Sequence, residues 1–171
     1  MSSTLYVDKI VEKTSAAGVH IPGHVIQMVE ATYATMVTNT TTSFVNTGLS
    51  VTITPKSASS KIIIMVNQVI QQWNNSNYAT GRWKIVKVLS GTTSDVQTTT
   101  PATNGNVFTY DYGGSGINRF APLYLQAVEV SGSTTTRSYT TQIAKGSNGG
   151  QLVAAQAESN PGNIIVMEIA Q

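Results

Sequence analysis

The chain has 171 residues, 40% of them hydrophobic and 11% charged, with 14 Gly, 5 Pro and no Cys, which is enough length for one packed core and too little for two large ones. Ten Lys and Arg against eight Asp and Glu leave a net charge of +2, and the basic residues are scattered from Lys9 to Lys145, which excludes a phosphate-tracking surface and so a nucleic-acid partner. The absence of Cys excludes disulfides and Cys-based zinc sites, and the polarity lies instead in 24 Thr, 17 Ser and 12 Asn.

Residues Met1 to Gly23 lack a basic region followed by an apolar core and a small-residue cleavage site, so no signal peptide is expected. They read as an extended N-terminal arm, residues 1–23, carrying alternating apolar residues at Leu5 and Val7, with Ile10, Val19 and Ile21 further along. A lone pair of strands is marginal in water, so such an arm needs another subunit or a host structure to order it. Ile21-Pro22-Gly23 marks the junction with the body, residues 24–171, because Pro fixes one torsion and Gly releases another.

Beyond Gly23 helical periodicity is nearly absent and period-two alternation recurs, as in Leu49, Val51 and Ile53 against Ser50, Thr52 and Thr54. Strands are predicted near 25–35, 43–46 with 49–54, 61–73, 80–89, 107–112, 123–130, 137–144, 152–156 and 164–169. Turn-forming clusters such as Ser-Gly-Thr-Thr, Gly-Gly-Ser-Gly and Asn-Pro-Gly-Asn separate them. The fold class is all-β, an antiparallel, jelly-roll-like β-sandwich. No stretch reaches the roughly 18 apolar residues of a membrane helix, so membrane insertion is not expected.

Lys61 to Ile70 (KIIIMVNQVI) alternates less than the rest. It is either a central strand covered on both faces by its own chain, or one whose second face meets another subunit. Ile63 and Met65 are the candidate subunit-interface residues.

Chemistry-bearing patterns are sparse. The eight carboxylates stand alone in sequence, Ser115 sits in Gly-Gly-Ser-Gly rather than a nucleophile elbow, and the Gly-rich loops lack a following helix to cradle phosphate. No catalytic residue, cofactor or metal is assigned, and the chain is expected not to be an enzyme. His20 and His24, four apart across Pro-Gly, would form a metal site only if a three-fold axis gathered them; a solvated junction is the simpler reading.

Two aromatic tracts suit a sugar ring, which stacks on an aromatic face while amides satisfy its hydroxyls. The first is Trp73, Asn74, Asn75 and Tyr78, with Arg82 and Trp83 following; the second is Tyr110 and Tyr112. The competing reading places Trp73 and Trp83 in the core or between subunits.

Several phrases carry a resemblance: LYVDKI with EKT at 5–14, GVHIPGHVIQ at 18–27, FVNTGL at 44–49, ITPK at 53–56, SSKI at 59–62 and IIVMEIA at 164–170. They resemble small virion structural proteins of tailed bacteriophages, particularly aquatic ones; residues 71–159 match nothing familiar. The resemblance implies a homotrimeric fibre or spike component of the virion, made in the host cytoplasm. Its arm would attach to other virion proteins (fibre shaft, tail or capsid), and its loops would contact host-surface glycan. The alternative is a capsid decoration or head-fibre protein that ornaments or stabilises the shell.

Overall fold

The structure is a computed structural model describing residues 11, 21–74, 80–96, 106–108, 117–146 and 150–171, the side chains of 74, 106–108, 117, 150 and 151 excepted. Among the described residues eleven strands form two antiparallel sheets, so the expected β-sandwich is what this sequence builds.

The first sheet is organised around a 14-residue strand, β4 (Lys61–Asn74). Along one edge β4 pairs over its whole length with β8 (Ile117–Val130). Along the other it pairs first with β11 (Gly162–Ile169) and then with β10 (Gly150–Ala155), which lie end to end. Outside these lie β1 (Val25–Tyr33) on β11 and β2 (Val37–Asn39) on β10. The second sheet runs β3 (Val45–Ile53), β9 (Arg137–Lys145) and β5 (Gly81–Leu89). β6 (Thr92–Asp95) and β7 (Asn106–Phe108) both pair with β5.

The period of two decides what is buried. Leu49, Val51 and Ile53 of β3 and Ile62, Ile64, Val66 and Ile70 of β4 point inward, meeting Trp83, Ile85, Tyr139, Ile143 and Ile164 in one core. Buried amides and hydroxyls run through it as a linked set. Thr47 and Thr141 share a hydroxyl–hydroxyl bond of 2.5 Å, and Thr141 Oγ1 and Gln156 Nε2 both donate to Gln68 Oε1 at 3.2 Å.

Strand boundaries differ from expectation in four places. The break expected after Asn46 is a bulge within one strand, β3, absorbed by Gly48 at φ 85 beneath the Tyr33 ring. The stretch expected to run to Thr35 ends at Tyr33, and a separate β2 follows. Thr92 and Thr93, read as turn, begin β6, because Ser90 and Gly91, both at positive φ, make a two-residue hairpin that pairs Leu89 with Thr92. β8 starts at Ile117 rather than Leu123 and runs through Pro122, which an edge strand tolerates. Of the strand expected at 107–112, residues 109–112 lie outside the described residues.

Candidate functional site

Three surfaces bear on function: the end from which the arm departs, the opposite end, and the outer face of the first sheet.

At the first end the chain enters the sandwich through Gly23, whose N–H donates to Ala170 O at 2.9 Å, while Ala170 N–H donates to His24 O at 2.9 Å. Beside this junction Glu168, fully buried, accepts from Gln27 Nε2 at 2.6 Å, from Lys56 N–H at 2.9 Å and from Ser57 N–H at 3.0 Å. Burial alone would raise its carboxyl pKa. The hydrogen bonds from Gln27, Lys56 and Ser57 outweigh burial and hold it below its ordinary value. Gln27 Nε2 also donates to Thr54 O at 2.8 Å, so one carboxylate and one amide fasten β1, β11 and the loop after β3. Sequence reasoning missed this clasp. The available signal was parity: Ile164, Val166, Glu168 and Ala170 share the inward face of a strand, and a charge at such a position demands partners.

The same end carries a second polar bridge, between the sheets. Glu129 of β8 accepts from Lys87 Nζ at 2.6 Å and from the Tyr139 hydroxyl at 2.5 Å, with Arg137 Nη1 at 3.8 Å. Burial and then the Glu129 contact push the Tyr139 hydroxyl pKa far upward, so it remains a donor. Arg137, 1% exposed, donates to the carbonyls of Ser131 (2.6 Å) and Ser133 (2.8 Å) and so organises the loop between β8 and β9.

The opposite end is defined by strand termini. Asn74 pairs with Ile117 and Gly150, and Gly81 pairs with Phe108 and Lys145. These termini flank both aromatic tracts, so the two leave the body from one end. Asn75, Tyr78, Tyr110 and Tyr112 themselves, and the Asn74 side chain, lie outside the described residues. Trp83 is fully buried in the core. Arg82 stacks over Phe44 at 5.1 Å and donates to Lys145 O at 3.2 Å.

The outer face of the first sheet carries the second set of side chains of Lys61 to Ile70. Ile63, Met65, Val69 and Trp73 alternate with the core residues of β4 and lie on this face, half-buried, with no described element stacked over them. Around them lie Ile165, Met167 and Ile169 of β11 and an exposed row on β8: Phe120 at 45%, Tyr124 at 71%, Val128 at 54% and Val130 at 60%. Trp73 thus shares a face with both candidate interface residues. A shallow hollow beside Met65 and Tyr124 interrupts the surface.

Of the arm, Ile21 is 46% exposed, while Leu5, Val7, Ile10, Val19 and His20 lie outside the described residues. Among the described residues no three His, Asp or Glu side chains are grouped to hold a metal, and no helix is long and apolar enough to cross a membrane.

No family model and no curated protein sequence matches this chain. Among solved structures it is similar to the Eiger TNF of S. frugiperda (10% identity, 64% of this chain and 60% of that one, TM-score 0.32). It is also similar to a chain of the T13 particle of IBDV (14% identity, 99% and 40%, TM-score 0.39). A third is the extra small virus particle of the giant freshwater prawn Macrobrachium rosenbergii (15% identity, 98% and 94%, TM-score 0.26). The chain spans 60% and 40% of the length of the first two.

Proposed function

We propose that this chain is a non-enzymatic virion structural protein: a homotrimeric fibre or spike component, attached to other virion proteins through its N-terminal arm and presenting its far loops to host-surface glycan. The observation that carries this reading is the polarity of the sandwich. The arm departs beside Gly23 and Ala170 at one end, and both aromatic tracts depart from the other. The 14 residues of β4 connect the two ends, a span of about 45 Å. A body that is held at one end and makes contact at the other needs this arrangement.

The phage-like phrases support it. Gln27, Lys56 and Glu168 belong to three of them, and these residues meet in the clasp beside the arm junction. Four of the segments carrying the resemblance, those with Gln27, Lys56, Ile62 and Glu168, therefore lie at the attachment end, whereas the one that opens on Phe44 begins under Arg82 at the far end. Residues 71–159, which carry none of it, supply the flanks of the far end.

Deletion of Met1 to Pro22 tests the reading. The truncated chain is expected to keep a β-rich circular dichroism spectrum and to disappear from assembled particles. Incorporation without the arm would overturn attachment through it; loss of the β signal would make the arm part of the core.

A further inference from the structure

We propose that the outer face of the first sheet is where copies of this chain meet, and that the contact is cyclic: β8 of one copy lies across the β4–β11 surface of the next. The inference deepens the homotrimer of the proposed function and rests on it for the number three.

Four observations favour a second copy as the occupant. Four strand rows about 4.8 Å apart, along the length of β4, present roughly 800 Å², which is what one partner of a stable protein interface contributes. The face is nearly free of charge: among the described residues only Lys61 at one end and Glu30 on the β1 rim carry any, so a second copy meets no like-charge repulsion, and an acidic or basic partner would find nothing to pair with. Its large apolar residues form two clusters, Ile63, Met65, Ile165 and Met167 with Val128 and Val130, and Val69 and Trp73 with Phe120, with the uncharged Asn67 and Asn163 between them, more apolar surface than a monomer ordinarily leaves in water. The 14-residue β8 has no described neighbour beyond β4 and continuous register along it, an edge that isolated proteins ordinarily blunt.

The distribution of exposure points to a cyclic rather than a face-to-face contact. Tyr124, Val128 and Val130 on the β8 edge are 54–71% exposed, whereas Ile63, Met65 and Met167 in the middle of the sheet are only half-buried. A copy stacked flat over the sheet would cover the middle and leave the edge row at its margin. A copy rotated about a three-fold axis lets one chain's edge row fill the next chain's middle, and repeating the operation closes the ring. Trp73, on the same face, then packs between subunits, which leaves Tyr78, Tyr110 and Tyr112 for any glycan.

Two measurements on the full-length chain test this. Light scattering should give three times 18.1 kDa for the wild type and one times that mass for Tyr124→Lys, whose exposed position lets the variant keep an unchanged β spectrum. A Tyr124→Lys variant that stays trimeric overturns the interface while leaving the trimer standing; a monomeric wild type overturns the trimer itself. The chain has no native Cys, so short bismaleimide cross-linking has no background. Tyr124→Cys/Met167→Cys should yield a ladder ending at covalent trimers, and each single variant should remain uncoupled. A ladder ending at dimers, or no coupling in a trimeric sample, overturns the cyclic arrangement.

Discussion

Gln27 and Glu168, 141 positions apart, share a hydrogen bond of 2.6 Å that joins the entry strand of the sandwich to its closing strand. Because the same carboxylate accepts the Lys56 and Ser57 N–H groups, removing it strands several donors at once. Glu168→Ala is expected to cost about 3 kcal/mol in urea unfolding at pH 7, and Glu168→Gln somewhat less, as buried charged acceptors generally do. The sign of the pH effect follows from the lowered pKa. Stability from Glu168 is fully present above the ordinary value of 4.5 and is lost as pH falls through the folded-state value. The gap between wild type and Glu168→Gln should therefore narrow in acid; a constant gap would show that the charge contributes nothing.

Gly48 holds φ 85 with the Tyr33 ring against its Cα, so a methyl group would meet both an unfavourable torsion and aromatic carbon. Gly48→Ala should cost about 1–3 kcal/mol. In a double-mutant cycle with Tyr33→Ala, the coupling energy isolates the clash from the torsion.

At the bridge between the sheets, Glu129→Ala leaves Lys87 and the buried Tyr139 hydroxyl without their acceptor, for an expected loss of about 3–5 kcal/mol. Tyr139→Phe removes the donor instead and should cost about 1 kcal/mol. Equal losses, read from denaturation midpoints, would contradict this account.

For the far end, Tyr78→Ala and Tyr110→Ala should each weaken adsorption to host cells or extracted surface polysaccharide about tenfold, the equivalent of about 1.4 kcal/mol, with trimeric avidity raising the whole. Trp73→Ala should alter assembly more than adsorption. Unchanged adsorption by both tyrosine variants, or none by the wild type, would favour a decoration role.

The alternation of Leu49, Val51 and Ile53 and the doubly apolar Lys61 to Ile70 run were legible because each reports a local burial pattern that the fold simply uses. β6 was not, since Thr92–Asp95 is exposed at every position and exists only by pairing with β5. The first half of β8 was obscured by Pro122, whose tolerance depends on an edge location that only the assembled sheet supplies. Likewise, no window of sequence contains Gln27, Lys56 and Glu168 together. The end of the body at which each tract would lie depends on strand pairing, so the polarity of the sandwich emerges only with topology.

The pairing of Val25 with Ile169 also imposes an order on biosynthesis. β1 leaves the ribosome early and must wait for β11, made well over a hundred residues later, and at about 5–20 residues per second that interval lasts seconds. Until then Glu168 is absent, and the corner beside Gly23 has no carboxylate to gather Gln27, Lys56 and Ser57. Any chain that stops short of β11 therefore carries the leading strand with no finished base beneath it, and closure of this corner waits on the last strand of the sandwich.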